Sequence, residues 1–510
     1  MTGAVAAVPH GESNEPRLPL TLWVLLALGL LFTLINLKWP IARNALCYAK
    51  ASLGLIQNHF NVFAVARNRA WTAGKPIFFT VIAAPFVWLF GANVGTIIAS
   101  FLGTAFFLCM AALALPRLNN LCGIDARLLP LELMLLALNP LVFYQFWSAY
   151  PDSLFAGLII LSFILTDTIA REPERDTRWH IVGLGTTIFV AIHTKLYGAA
   201  LLGMCSIYLL VYIRSFFKRA SYLAAKLALL SLFAVLIGGV LLAAKYDSYP
   251  LLDFSEGAGF DIYMSGLAHS RIAGIFASLK TLVFTLALAF QFSLLFLFAR
   301  AGRRSWALAS TLFISIYVLG LLSFSGSSYN MRYFLPLFLF LVPPLAAGAG
   351  SLGTATRRAI LVGYGVLAVL LILAFNFAPA QRAFAPPIAI AGQKYFRLSF
   401  WLDNLRLPVH MALRGQIDSI NEQVPPGAVL YWSSNYYETT THGLAEHLGV
   451  KKGLDIRYVL NDSDIPPHAN SVFLAEFTAD VPPEALSAPP SGVKVTPLGR
   501  GLFRLDPVKP

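Results

Sequence analysis

The sequence predicts an all-α polytopic membrane domain of about eleven transmembrane helices plus juxtamembrane helices, followed by a small α/β soluble C-terminal domain. Three observations predict it. Of 510 residues, 57% are apolar and only 12% charged, about half the charged share of an ordinary soluble domain. The apolar residues fall in continuous runs rather than in alternation. In hydrocarbon every backbone N–H and C=O must be paired within the chain, so such runs can only be helices. Charge is also partitioned: 12 basic and 12 acidic side chains lie from Arg382 onward, which leaves 26 basic against 13 acidic in the apolar part.

Twelve apolar runs can be picked out, near 18–37, 76–91, 95–115, 129–147, 153–170, 179–194, 196–214, 222–244, 273–299, 305–323, 332–348 and 358–376. Short cytoplasmic loops collect Lys and Arg. By that rule Arg117 with Arg127, Arg171 with Arg175 and Arg178, Arg214 with Lys218 and Arg219, Arg300 with Arg303 and Arg304, and Arg357 with Arg358 lie inside. The poorly basic segments between them, Tyr150 to Ser153, His193 to Gly198, Tyr246 to Ser270 and Ser323 to Asn330, lie outside. The run from Pro76 to Phe90 is the shortest, opens on a proline and ends at Gly91, so it reads as a juxtamembrane or re-entrant helix. Eleven spans then put the N-terminus inside and the tail outside.

The first apolar run lacks the basic leader of a cleavable signal and is long enough to span, so it reads as a retained first helix. Residues 1–380 form the membrane domain, with 38–94 as an external loop carrying juxtamembrane helices, and 381–510 the soluble, periplasmic domain. The loop from Lys38 to Lys75 holds six basic residues and no acidic one. Outside the cytoplasm, phosphate contact is the reason such charge needs. In the tail, periodicity predicts helices around 411–423 and 441–448 and strands at 428–433, 471–477, 493–497 and 501–505.

Cys47, Cys109, Cys122 and Cys205 are scattered, with no CxxC and none in the tail, so neither a disulfide framework nor a zinc site is predicted. There is no internal repeat and no inverted copy of one half in the other, which weighs against a transporter. His59 and His193 have no companions at metal-ligand spacing. His442 and Glu446 in HGLAEH share a helical face with no third ligand, and together with Glu438 and His447 they read as a surface helix.

Four stretches, in chain order, carry a family resemblance: RNALCYAKASLGLIQNHFN, TAGKPIFFTVIAAPFVWLFG, AIHTKLYG and MRYFLPLFLFLVP. With the order of parts, they resemble the GT-C glycosyltransferases, which take a sugar from a polyprenyl-phosphate carrier at the membrane's outer face. The resemblance implies a bacterial inner-membrane, multi-pass transferase acting by inversion. It implies partners that are membrane lipids, a polyprenyl-phosphate-linked sugar and a glycan or glycolipid acceptor, with neither nucleic acid nor cofactor expected. One departure stands out. The family begins the first loop with acidic residues, one of them the expected base; here the equivalent is Asn44, and no Asp or Glu occurs from Lys38 to Asn93. Asparagine cannot take a proton, so Asn44 is left with positioning an acceptor by hydrogen bonds.

Asp152 in AYPDSLF is the nearest substitute, at an outer span end where the resemblance implies a second acidic position. An ionisable group at such a place is a functional candidate, and the same aspartate has the chemistry to cap the following helix. Glu256 and Asp261, with Tyr263, lie in the carboxylate- and tyrosine-rich external loop, where they suit sugar hydroxyls and faces or form a solvated loop. Lys195 and Arg332 fall at outer span ends, positions suited to clamping a leaving phosphate or to snorkelling among headgroups. Arg67, Arg69 and Lys75 flank Trp71, a cluster suited to a diphosphate or to anionic lipid, and Tyr48 lies in the first of the four stretches. No metal ligand set is predicted. The alternative reading is a catalytically degenerate relative that binds lipid-linked sugars or scaffolds an envelope glycan complex.

Overall fold

In the computed structural model the described residues are 20–37, 41, 44–67, 76–171, 178–195, 201, 205, 282–283, 285–299, 334–376, 407–433, 449–459, 472–476, 493–499 and 502–507. The apolar runs among them are helices, as pairing the backbone in lipid requires. Three are long and apolar enough to cross a membrane, Phe78–Cys122, Asp152–Ala170 and Thr354–Leu373; Leu20–Asn36, Trp179–Thr194, Thr285–Phe298 and Leu335–Ser351 are shorter apolar helices. The runs at 222–244 and 305–323, most of 196–214, and the expected helix at 441–448 lie outside the described residues.

The first helix, α1 (Leu20–Asn36), buries Leu22, Leu25, Gly29, Thr33 and Asn36 at helical spacing and exposes Trp23, Leu31 and Leu34. That arrangement suits lipid as the solvent on its outer side. Next come α2 (Asn44–Gln57) and α3 (Val62–Arg67). The long α4 (Phe78–Cys122) contains Pro85 and Pro116 and breaks at Gly91, whose φ of 80° and ψ of 165° are non-helical. The residues before the break lie against those after it: a Cβ on Gly95 would stand 2.3 Å from the Val87 backbone nitrogen. Asn93 straps the α1–α2 link to this bend, accepting from Ile41 N–H at 2.6 Å and donating to the Leu37 carbonyl at 3.2 Å.

The run at 129–147, read as one span, is two short helices, α5 (Leu129–Ala137) and α6 (Pro140–Gln145). The reason is local: Pro140 cannot donate to the preceding turn, and Asn139, in extended conformation, caps the new helix by accepting from Leu141 N–H at 3.0 Å. Two helices follow, α7 (Asp152–Arg171) and α8 (Arg178–Thr194). α7 packs closely on α4, since a Cβ on Gly157 would lie 2.5 Å from the Phe106 ring. Small residues at such crossings let helices approach in lipid, where no hydrophobic driving force joins them.

The expected run at 273–299 ends in a 3-10 segment, Gln291–Phe298, crossed by α9 (Leu335–Ser351). α9 is buried from Leu335 to Ala349, the mark of a helix surrounded by others. Its neighbour α10 (Thr354–Asn376) exposes Val362, Val366 and Leu370, with Tyr364 O–H turned inward to donate to the Leu135 carbonyl at 2.7 Å.

Among the described residues of the tail, α11 (Leu407–Gln423) precedes five strands: β1 (Val429–Ser433), β2 (Asp455–Val459), β3 (Val472–Glu476), β4 (Val493–Gly499) and β5 (Leu502–Pro507). The sheet order is β2-β1-β3-β5-β4, with β1 parallel to β2 and β3, and β5 antiparallel to β3 and β4. β2, in DIRYV, is the strand the sequence reading lacked, because its charged residues interrupt the apolar pattern.

The Gly91 bend gives a first prediction. Gly95→Ala forces backbone apart and is expected to cost about 1–3 kcal/mol, the usual penalty of overpacking, whereas Gly365→Ala, inside α10 with open space around it, is expected to gain about 0.5–1 kcal/mol of helix stability. Thermal melting in detergent reads the difference, and equal melting temperatures would exclude the close approach.

Candidate active site

Asp152 opens α7, and Lys195 follows the last residue of α8, its N–H still bonded to the Ala191 carbonyl at 2.9 Å. Only residues 172–177 separate the two helices, so they run antiparallel and these two ends meet. Lys195 Nζ donates to Asp152 Oδ1, forming an ion pair whose side chains are 9% and 2% exposed. Each charge also sits at the helix end that favours it, the carboxylate at an N-terminus and the ammonium at a C-terminus. At the far end of α7, Arg117 Nη1 donates to Thr168 Oγ1 at 2.7 Å and contacts Asp167 Oδ2 at 3.4 Å. Asp152 and Asp167 lie fifteen residues apart on α7, which puts these two charged groups about 23 Å apart along the helix, toward opposite membrane faces in the positive-inside reading.

Aromatic rings crowd the turn that leads into Asp152. The ring of Tyr48, from α2, meets Tyr150 edge-on at 6.5 Å and Phe79 at 5.3 Å. Tyr144 and Trp147 stack edge to face at 5.4 Å in the same turn. All five rings are buried. Tyr150 stands two residues before Asp152, so α2 reaches the site through Tyr48, and the first loop and the α7 start belong to one neighbourhood. Lys50, on α2, is also buried, and burial pushes its ammonium below the usual lysine range.

Of the residues singled out from sequence, the structure pairs Asp152 with Lys195 and sets Tyr48 against Tyr150, two residues before Asp152 along the chain. Asn44 is the first residue of α2, and Arg67 the last of α3; their side chains are not among those described. Arg69, Trp71, Lys75, Glu256, Asp261, Tyr263 and Arg332 lie outside the described residues, as do Glu438, His442, Glu446 and His447. His193 Nδ1 faces the Phe189 carbonyl at 2.7 Å, with its ring against Phe189, so that nitrogen is committed to its own helix.

Sequence reasoning missed Lys50 and the neutral polar residues behind the site. Ser100 and Thr104, with Thr96, recur every four residues along an apolar run, which places them on one face of α4. That spacing was the available signal. All three are fully buried.

No protein-family model matches this chain, and no curated protein matches it closely enough to count as a relative. Two solved structures do resemble it over nearly its whole length. The crystal structure of ArnT from Cupriavidus metallidurans bound to undecaprenyl phosphate is similar with a TM-score of 0.58 at 16% identity, covering 96% of this chain and 98% of that one. The apo state of the same protein gives a TM-score of 0.55 at 15% identity, over 95% and 97%. At that identity the likeness establishes the fold: this chain has the fold of that protein.

The ion pair sets a second prediction. Lys195→Met strands a buried carboxylate without its ammonium and is expected to cost about 3–5 kcal/mol. The double variant Asp152→Leu with Lys195→Met removes both charges and should melt above Lys195→Met alone. A double variant that melts at or below that single one would show that the two residues do not act as a buried pair.

Proposed function

We propose that this chain transfers a sugar from a polyprenyl-phosphate carrier to a glycan or lipid acceptor of the cell envelope, at the outer face of a bacterial inner membrane. The observation that carries this reading is the buried Asp152–Lys195 pair at one end of a helix bundle with the fold of a protein crystallised with undecaprenyl phosphate. A multi-pass membrane domain of about eleven spans over 1–380, with a periplasmic α/β domain over 381–510, completes the proposal.

The chemistry is a direct displacement with inversion. The acceptor oxygen bonds to the anomeric carbon as the bond from that carbon to the phosphate oxygen breaks, and the bonding electrons leave with polyprenyl phosphate. The acceptor's proton passes to Asp152. Lys195 and Arg332 meet the charge that grows on the leaving phosphate, which is where preorganised cations lower a barrier most. The donor phosphate and Asp152 compete for the Lys195 ammonium, so donor binding frees the carboxylate that must accept a proton. Arg67, Arg69, Lys75 and Trp71 bind the carrier's phosphate and headgroup region. Asn44 orients the acceptor, and Glu256, Asp261 and Tyr263 contact sugar. Positioned cations serve the leaving group, and no metal or organic cofactor is called for.

A second reading keeps the ligand and drops the chemistry. Asn44 stands where the resemblance implies a carboxylate, and the loop from Lys38 to Asn93 has no acidic residue, which favours a protein that binds lipid-linked sugar without turning it over.

Two measurements separate the readings. Mass spectrometry of lipids copurified with the chain is expected to find a polyprenyl-phosphate sugar under either. In membranes supplied with that donor, the wild-type chain is expected to transfer sugar, and Asp152→Asn to lose at least about 100-fold in kcat, the lower range for a general base. Unchanged transfer by Asp152→Asn removes the aspartate from the mechanism; donor retained without any transfer by the wild type selects the binder.

A further inference from the structure

The turn between α6 and α7 aims Asp152 at Lys195, and its backbone pays a conformational cost to do so. Ala149 has φ of 60°, the left-handed region, where a Cβ crowds the following carbonyl at a cost of about 1–2 kcal/mol. Hydroxyl groups from α4 hold the turn there. Ser100 Oγ donates to the Gln145 carbonyl at 2.7 Å and lies 3.3 Å from Ser148 Oγ. Ser148 Oγ in turn reaches Gln145 Oε1 at 3.2 Å. One helical turn further along α4, Thr104 Oγ1 donates to Ser153 Oγ at 2.9 Å, directly after Asp152. Ser100, Thr104, Gln145, Ser148 and Ser153 are all buried, none more than 1% exposed.

The turn is gripped from α1 as well. Thr33 Oγ1 lies 3.4 Å from the Phe146 carbonyl, and Gly29 leaves room for the Phe146 ring, which a Cβ there would meet at 2.4 Å. Two helices therefore clamp the segment from Gln145 to Ser148 that leads into Ala149, Tyr150, Pro151 and Asp152.

We infer that Ser100 and Ser148 are positioning residues for the Asp152–Lys195 pair, acting through the left-handed turn at Ala149; this role rests on the sugar-transfer reading. A turn needed only to connect two helices would be served by glycine, which adopts φ of 60° without cost, and by apolar packing against α4. Alanine held left-handed by buried hydroxyls instead restricts the turn to one shape. The gain is directional: Tyr150 is set against Tyr48, and the Asp152 carboxylate is set on Lys195. Misplacement by about 1 Å in a reacting constellation costs on the order of 100-fold in rate, so a loosened turn is visible in turnover before it is visible in folding.

The test uses the full chain in membranes with a polyprenyl-phosphate sugar donor, and the variants Ser100→Ala, Ser148→Ala, Ser100→Cys and Ala149→Gly. Ser100→Ala, Ser148→Ala and Ala149→Gly are expected to lower kcat about tenfold, part of the cost of misplacement, with KM for the donor unchanged. Ala149→Gly melts at the wild-type temperature or above, which a merely structural role does not couple to lost turnover. Ser100→Cys, similar in size and a weaker donor, recovers part of the rate. Should Ser100→Ala fail to fold, Ala149→Gly decides alone. Wild-type kcat in Ala149→Gly, or kcat losses that follow losses in melting temperature, overturn the inference while Asp152→Asn still tests the reaction. Absence of transfer by the wild type overturns the sugar-transfer reading, and this inference with it.

Discussion

An ammonium and a carboxylate removed from water must find each other, and that requirement organises the bundle around the site. Each ion alone would lose several kcal/mol of hydration in a low-dielectric interior, and only close pairing offsets it. The Asp152–Lys195 contact is possible only if α7 and α8 run antiparallel with their ends level. A slip of α8 by one turn, about 5.4 Å, would part the charges and leave both buried. The pair therefore fixes the register of two helices whose apolar surfaces alone would tolerate sliding.

The rest of the bundle solves the same problem for neutral groups. Hydroxyls inside apolar helices are satisfied by the carbonyl one turn back: Thr33 on Gly29, Ser52 on Tyr48, Thr96 on Ala92, Ser162 on Leu158 and Thr194 on Val190 all lie at 2.6–2.9 Å. Such bonds leave the helix intact and let small polar residues face a neighbour without a desolvation penalty. Where a hydroxyl reaches another element, as Ser100 reaches Gln145 and Thr104 reaches Ser153, it ties two elements together. Several hydroxyls do both: Thr33 also lies 3.4 Å from the Phe146 carbonyl, Ser52 3.3 Å from the Thr80 carbonyl, and Thr104 3.0 Å from the Ser100 carbonyl one turn back.

How far this was legible in the sequence follows from what lipid makes conspicuous. The helices at 153–170 and 179–194 could be bounded within a residue or so, because a long apolar run has few alternatives. Asp152 and Lys195 stood out because charge is rare there, and parity of the spans placed both at one face. Ser100 and Ser148 did not, since a serine in an apolar run barely changes its hydropathy. The break at Asn139–Pro140 was present as an asparagine followed by proline, yet the apolar count over 129–147 concealed it. Lys50 was hidden by its surroundings: in a basic loop one more lysine looks solvated, and only the packing of α2 on α4 buries it. Tyr48 entered through the family resemblance, and the structure supplies a physical role for it, an edge-on contact with Tyr150.

The missing first-loop carboxylate acquires a structural meaning from this arrangement. α2 packs on α4 and its Tyr48 ring meets Tyr150, two residues before Asp152, while its first residue is Asn44, at the position where the family resemblance implies a carboxylate. What the loop carries instead is basic: six basic residues from Lys38 to Lys75, one of which, Lys50, lies buried on α2. Such a loop favours an anionic ligand more strongly than one with acids at its start, because no internal carboxylate neutralises the field that attracts phosphate. In the proposed reaction the whole burden of proton removal falls on Asp152, whose carboxylate is occupied by Lys195 until a phosphate draws the ammonium away. In that proposal charge in the site is balanced twice, by the protein's own pair before the donor arrives and by the donor's phosphate afterwards, and the base is released only when there is something for it to act upon.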